Sequence, residues 1–130
     1  MAEVTQFCVG LENKPGTLAK FCAMLSKASV NIEAVFASED AECNWVHLIA
    51  SPDSKAERAL NEAGYHFFTE KVLIVMLDNQ PGELERVASA LGSAGVNISY
   101  IYGSSGVEGS AFTLVVSADD LETAGKALES

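Results

Sequence analysis

Two kinds of hydrophobic pattern follow one another twice along this chain. Residues 5–11 place apolar side chains at every second position, and residues 71–77 form a run of strand-favouring residues with apolar side chains at the matching positions, so both are predicted as strands. After each strand, apolar residues recur at intervals of three and four, as in an amphipathic helix. The strand positions that share a side are Phe7, Val9 and Leu11, and Leu73, Val75 and Leu77. The helix positions are Leu18, Phe21, Cys22, Leu25 and Ala28, and Leu84, Val87, Ala88, Leu91 and Ala94.

Further elements complete a β-α-β-β-α-β order in the first half. The predicted strands are residues 31–38, 44–50, 97–103 and 110–116, the second helices are 54–63 and 119–128, and a short strand covers 65–70. Gly103, Gly106 and Gly109 predict a mobile hairpin connection. This order describes a ferredoxin-like α+β unit with an antiparallel sheet. The second half lacks its last strand, so we expect the other half or another subunit to cover that sheet edge.

The two halves are copies of one another, because a set of residues recurs 66 positions later, from Asn13 to Asn79 onward. We therefore predict two tandem domains, residues 1–70 and 71–130. The recurring residues are Asn13, Pro15, Gly16, Leu18, Leu25, Ala28, Val30, Asn31 and Ile32, matched by Asn79, Pro81, Gly82, Leu84, Leu91, Ala94, Val96, Asn97 and Ile98.

The ends of the first helix in each copy carry residues with known preferences. Pro15 and Pro81 are predicted at the first helical position, where a missing N–H costs nothing. Gly95 suits the left-handed residue that closes the second copy's helix, and Ser29 replaces it in the first copy.

Composition and charge narrow the range of partners. Hydrophobic residues make up 48% of 130 residues and charged residues 20%, which is typical of a folded protein. Each half is small for independent folding, so we expect the halves to fold together. The net charge of −10 argues against nucleic acid and anionic membranes as partners.

The reactive residues do not form a recognisable catalytic or metal motif. Cys8, Cys22 and Cys43 lack C-x-x-C spacing and are predicted to be buried thiols. His47 and His66 have no Cys, Asp or Glu at ligand spacing and are interpreted as structural. We predict no enzyme activity, no metal and no cofactor. The N-terminus has no signal-peptide pattern and no long apolar run occurs, so a cytoplasmic location is expected.

The run E-N-K-P-G-T-L at residues 12–18, with V-N-I at 30–32, resembles the signature of ACT domains, and D-N-Q-P-G-E-L with V-N-I repeats it. The resemblance covers nearly the whole chain, twice. It implies a regulatory module that binds a free amino acid or similar small metabolite where paired units meet, as a homodimer with a possible partner metabolic enzyme.

The residues themselves support a ligand at this loop. A helix N-terminus favours a carboxylate, glycine lets a ligand approach the backbone, and asparagine amides suit both ends of a zwitterion. The alternative role for Asn13 and Asn79 is to shape the turn or cap the helix. The predicted ligand-binding residues are Asn13, Gly16, Thr17, Leu18, Asn31 and Ile32, and Asn79, Gly82, Glu83, Leu84, Asn97 and Ile98. Serine-binding ACT domains carry His where Leu11 and Leu77 stand, which favours a more apolar ligand.

The sequence leaves two alternative functions to compare with this one. The run E-N-K-P-G-T-L followed by N-I-E-A is similar to the start of acetolactate synthase small subunits, which implies a regulatory subunit of a separate biosynthetic enzyme. An acylphosphatase-like enzyme needs an arginine in the first loop. Only Arg58 and Arg86 occur, both on predicted helices, so this function is disfavoured.

Overall fold

The computed structural model describes residues 1–39, 43–105 and 111–129, without the side chains of Glu39 and Cys43. Six strands and four helices lie in these ranges. They are β1 (Ala2–Glu12), α1 (Thr17–Lys27), β2 (Asn31–Glu39), β3 (Cys43–Ser51), α2 (Asp53–Glu62), β4 (Phe67–Leu77), α3 (Glu83–Ser93), β5 (Ile98–Ser105), β6 (Phe112–Ala118) and α4 (Leu121–Glu129).

The first compact unit is Thr5–Glu70. Its strands follow the order β2-β3-β1-β4, and β3 pairs antiparallel with both β1 and β2. The N–H of Gly10 donates to the carbonyl of His66 at 3.2 Å, next to the start of β4. One face of this sheet packs on α1 and α2. The core includes Phe7, Val9, Leu11, Phe21, Leu25, Val46, Leu48, Ala56 and Leu60.

The second compact unit combines Met1–Val4 with the chain from Lys71 onward. Its strand order is β1-β4-β6-β5, so the first residues of β1 stand beside β4. The prediction had placed these residues in the first domain. The core of this unit includes Leu73, Val75, Leu77, Val87, Leu91, Leu114, Val116 and Ala124.

The predicted α+β class and repeated ferredoxin-like pattern are confirmed, with two corrections to the strands. Segments 65–70 and 71–77 were predicted as separate strands, whereas β4 runs unbroken from Phe67 to Leu77. No turn residue separates them, so the backbone stays extended. Asn97 lies just before β5 rather than within it.

The helix starts also differ from the prediction. Pro15 and Pro81 do not open α1 and α3, which begin two residues later, at Thr17 and Glu83. The intervening glycines adopt left-handed conformations, with φ of 89° at Gly16 and 92° at Gly82, and a left-handed residue cannot belong to a right-handed helix.

The helix ends follow the prediction. Ser29 has φ of 60° and Gly95 has φ of 75°, so both are left-handed residues after a helix. The N–H of Val30 bonds to the carbonyl of Leu25, and that of Val96 to Leu91. In the predicted hairpin, Gly103 belongs to β5, while Gly106 and Gly109 lie outside the described residues.

Candidate functional site

The loop between β1 and α1 is closed by its own hydrogen bonds. The Thr17 hydroxyl donates to the carbonyl of Glu12 at 2.8 Å and contacts that of Lys14 at 3.0 Å. The N–H of Lys14 also donates to the Glu12 carbonyl at 3.0 Å. Thr17 therefore ties the first turn of α1 to the end of β1 and shapes the loop.

Gly16 keeps the entrance of α1 open. Its left-handed φ suits glycine, and an added Cβ would meet nothing within 4 Å. Within the described residues, α1 has no side-chain cap hydrogen bond at its N-terminus. The N–H of Thr17 donates to the carbonyl of Lys14 at 3.4 Å, and the N-terminal end of the helix favours an anionic ligand.

A cleft of about 540 Å³ lies beside this loop in the first unit. We call it the β1–α1 cleft. It is lined by residues 10–12 of β1, by 14–17 and 20 from the loop and α1, and by 64–66 between α2 and β4. The hydrogen bond between Gly10 and His66 holds the last of these segments beside the first.

The cleft presents both signs of charge. The Lys14 ammonium lies 2.8 Å from the Glu12 carboxylate. The hydrogen bond from Lys14 lowers the pKa of Glu12, and the same bond raises the pKa of Lys14. Both groups are therefore ionised at neutral pH, and Lys20 adds a second positive charge to the lining.

Only part of the first copy's predicted site lines this cleft. Gly16 and Thr17 do, whereas Asn13 is exposed beside the cleft's lining and accepts a hydrogen bond from the Asn44 side chain at 3.3 Å. Leu18, 49% exposed, is outside the lining.

The predicted strand residues of the first copy are placed elsewhere. Asn31 opens β2, is exposed, and pairs in register with Ser51. Ile32 packs against the core of the first unit. Neither residue lines the β1–α1 cleft.

The second copy has a smaller cleft of about 150 Å³ at the equivalent loop. Asn79, Glu83 and Leu84 line it, as predicted positions, together with Leu77, Asp78, Gln80 and Phe112. Glu83 also accepts a hydrogen bond from the Arg86 guanidinium at 2.9 Å. Gly82 has the same left-handed conformation as Gly16 but is not part of the lining.

Asn97 and Ile98 have structural contacts. The N–H of Asn97 donates to the Asp119 carboxylate at 3.0 Å, and the N–H of Asp119 donates to the Asn97 carbonyl at 3.1 Å. These bonds join the start of β5 to the end of β6. Ile98 packs on the core of the second unit.

Three lining residues, Tyr65, His66 and Lys20, are not among the predicted ligand-binding residues. The order of the elements could have indicated Tyr65 and His66, because a ferredoxin-like sheet places the last strand beside the first. Residues that open β4 must then lie near the end of β1. Lys20 follows Gly16 by one helical turn, which places it on the same side of α1.

Among the described helices, none combines the length and apolar character needed to cross a membrane.

Residues 2–128 match the family model described as an ACT domain pair. Among solved structures, protein BT0572 from Bacteroides thetaiotaomicron is 26% identical, with a TM-score of 0.91, over 98% of this chain and 87% of that one. No curated protein matches this sequence.

Two regulatory subunits share the fold. The regulatory subunit of aspartate kinase from Thermus thermophilus, in its ligand-free form, is 16% identical with a TM-score of 0.64, over 99% of this chain and 96% of that one. Its counterpart from Thermus flavus is 17% identical with a TM-score of 0.62, over 98% and 90%. At these identities the likeness shows the fold alone.

Proposed function

Because this chain belongs to the ACT domain pair family, we propose that it is a non-catalytic regulatory module that binds a free amino acid in the β1–α1 cleft of its first unit. The observation that carries the proposal is the placement of both signs of charge in one cleft at a helix N-terminus. A zwitterionic ligand requires that combination.

Each end of an amino acid has a partner in this cleft. Its carboxylate suits the N-terminus of α1 and the ammonium groups of Lys14 and Lys20, and its ammonium group suits the Glu12 carboxylate. A volume of about 540 Å³ falls within the range of about 300–1,000 Å³ that is usual for small-molecule pockets. The cleft has room for a small ligand and its bound water.

The lining also favours one class of side chain. Leu11, Pro15 and Tyr65 contribute apolar surface to the cleft. An amino acid with an apolar side chain would bury that surface and gain about 25 cal/mol per Å² of apolar area removed from water. We propose such an amino acid as the ligand.

The second copy is a poorer site for the same ligand. Its cleft is smaller, and the charged residues that line it are Asp78 and Glu83, both acidic. Gln80 stands where the first copy has Lys14. A ligand carboxylate would meet repulsion there, so we propose the first copy as the main site.

Thermal unfolding and isothermal titration with each of the twenty amino acids test this proposal. A ligand that binds the folded state must raise the melting temperature, and we expect this from one or a few apolar amino acids. Lys14→Gln, which gives the first copy the residue of the second, should weaken binding by roughly tenfold because a charge-assisted hydrogen bond is lost.

Asn79→Ala, in the smaller cleft, is the control and should bind as the wild type does. If no amino acid shifts the melting temperature, or if Lys14→Gln binds with unchanged affinity while Asn79→Ala weakens binding, the proposed site is wrong.

A partner enzyme is the second part of this proposal. Proteins of similar fold are regulatory subunits of aspartate kinase, and the Thermus thermophilus chain is covered to 96% by this one. We propose that this module likewise acts on a separate biosynthetic enzyme, as a homodimer. Affinity purification of the tagged chain with and without the identified amino acid tests this, and recovery of no metabolic enzyme under either condition would count against it.

A further inference from the structure

Three metal-ligating side chains meet on one face of the first unit's sheet. Phe7 and Val9 point into the core beside α1 and α2, so Cys8, between them in β1, points to the opposite face. In β3, Val46 and Leu48 also lie in the core, so His47 between them points to the same face as Cys8. Cys8 and His47 are direct partners in the register of β1 and β3. Glu70 of β4 completes the group, which we call the Cys8–His47–Glu70 cluster.

The spacing of this cluster suits a tetrahedral ion. The Cys8 Sγ lies 3.3 Å from His47 Nδ1 and 3.7 Å from Glu70 Oε1, and the ligand atoms of the three side chains are all within 4.8 Å of one another. Tetrahedral Zn²⁺ holds its sulfur ligand about 3.6 Å from its nitrogen or oxygen ligands, given bonds of about 2.3 Å to sulfur and about 2.1 Å to nitrogen. Two of the observed separations therefore match those around a zinc ion.

Neighbouring groups hold two of these side chains in place. The side-chain amide of the fully buried Gln6 donates to Glu70 Oε1 at 3.2 Å. The ring of Phe36 stacks on His47 with centroids 4.9 Å apart and planes inclined by 24°. Such outer contacts are the kind that orient ligands in metal sites. Cys8 is fully buried, whereas His47 and Glu70 are half-buried. Solvent and an incoming ion would therefore reach the cluster past His47 and Glu70.

We propose that Cys8, His47 and Glu70 bind one Zn²⁺, with a water molecule or a small exogenous ligand in the fourth position. Thiolate with imidazole and carboxylate favours a borderline ion such as zinc over Mg²⁺ or Ca²⁺, which prefer oxygen ligands. As the Zn–S bond forms, the S–H bond of Cys8 breaks and its proton leaves to solvent. The site is separate from the residues that line the β1–α1 cleft.

The same three side chains can also satisfy one another by hydrogen bonds without any ion. The two accounts differ in their response to metal. The apo protein, prepared with a chelator that is then removed, is titrated with Zn²⁺ by calorimetry and with Co²⁺ by absorption. We expect one ion per chain and a thiolate-to-cobalt charge-transfer band.

Variants distinguish the cluster from adventitious binding. Cys8→Ser and His47→Gln should each weaken zinc binding by about 100-fold or more, because each removes one of three protein ligands. Cys22→Ser is the matched control, since Cys22 is a half-buried cysteine of α1 outside the cluster. It should bind zinc as the wild type does and keep the cobalt band.

The proposal is overturned if the wild type takes up no stoichiometric zinc, or if Cys8→Ser binds it as tightly as Cys22→Ser. Circular dichroism reports whether Cys8→Ser has folded. Should it be unfolded, Glu70→Gln replaces it, because that change keeps the shape of the side chain and removes the carboxylate. Unchanged zinc affinity in Glu70→Gln would then reject the site. The amino-acid titration is unaffected by either result, so the two proposals fail separately.

Discussion

At the scale of single residues, the side chains of Cys8 and His47 have pKa values shifted from their ordinary ranges. Burial raises the pKa of the Cys8 thiol to about 12, with the charge of Glu70 and a hydrogen bond to it acting in the same direction. Burial lowers the pKa of His47, although the Glu70 charge opposes this. Both groups are therefore neutral at physiological pH, and a bound cation must displace the thiol proton.

Gly16 illustrates a residue chosen by backbone conformation. We expect Gly16→Ala to lower the free energy of unfolding by about 1 kcal/mol, because a Cβ is unfavourable at φ of 89° even though the space around it is open. Urea unfolding measures this change.

Gly125→Ala is the matched control, since Gly125 lies in α4 and an added Cβ there also meets nothing within 4 Å. It should stabilise the protein by about 0.5–1 kcal/mol, because alanine favours helix. Equal shifts of the same sign in both variants would contradict the argument.

At the scale of elements, α4 shows how a cap depends on ionisation. The Asp120 carboxylate accepts hydrogen bonds from the Thr123 N–H at 3.1 Å and from the Thr123 hydroxyl at 2.6 Å, just before the helix begins. These bonds, that of the hydroxyl foremost, lower the pKa of Asp120. The ionised carboxylate thus accepts a hydrogen bond from a backbone N–H in the first turn of α4, where no helical carbonyl is available.

The sign of the pH dependence follows from that lowered pKa. In the unfolded chain Asp120 takes up a proton at a higher pH than in the folded one, so its contribution is present above the unfolded pKa. It is lost as the pH falls through the folded pKa. We expect Asp120→Ala to be less stable than the wild type at neutral pH.

The difference should shrink in acid, measured by urea unfolding at about pH 7 and at about pH 3 and below. Thr123→Val removes the hydroxyl donor but keeps the backbone N–H. This variant is expected to lose only part of the stability that the Asp120 carboxylate contributes at neutral pH. A gap between wild type and Asp120→Ala that stays constant with pH would refute the charged cap.

At the scale of the whole molecule, the start of the chain belongs to the second unit. Met1–Val4 groups with residues 71 onward, and β1 is the neighbour of β4. A strand edge without a partner leaves N–H and C=O groups unpaired. The first residues of β1 therefore provide a neighbouring strand for β4 within the second unit.

We expect deletion of residues 2–4 to speed amide hydrogen exchange in β4 and β6, within residues 71–77 and 112–118, more than in β3. The reason is the loss of the strand beside β4. Val4→Ala, which keeps the backbone, is the control and should have a much smaller effect. A larger increase of amide exchange in residues 43–51 than in residues 71–77 and 112–118 would contradict the placement of the first residues of β1 beside β4.

The sequence predicted most of the elements, and the structure brings only some of the proposed ligand-binding residues into one cleft. Gly16 and Thr17 both line the β1–α1 cleft, because the loop motif and the helix start are adjacent in the chain. The motif position predicts ligand contact for Asn31 and Asn97. Asn31 is exposed at the start of β2, and the backbone of Asn97 is bonded to Asp119. The spacing of a motif along the chain does not determine which neighbours a side chain contacts in the folded protein.

Local pattern determined the succession of helices and strands and the left-handed ends at Ser29 and Gly95, because hydrophobic period and turn preference act over a few residues. The 66-residue repeat in the sequence determined the duplication. Tertiary structure decided the rest. It brought residues 64–66 to the end of β1, and it joined Cys8 to His47 and Glu70 across separations of 39 and 62 residues. Strand pairing sets these contacts, and pairing depends on the folded sheet rather than on distance along the chain.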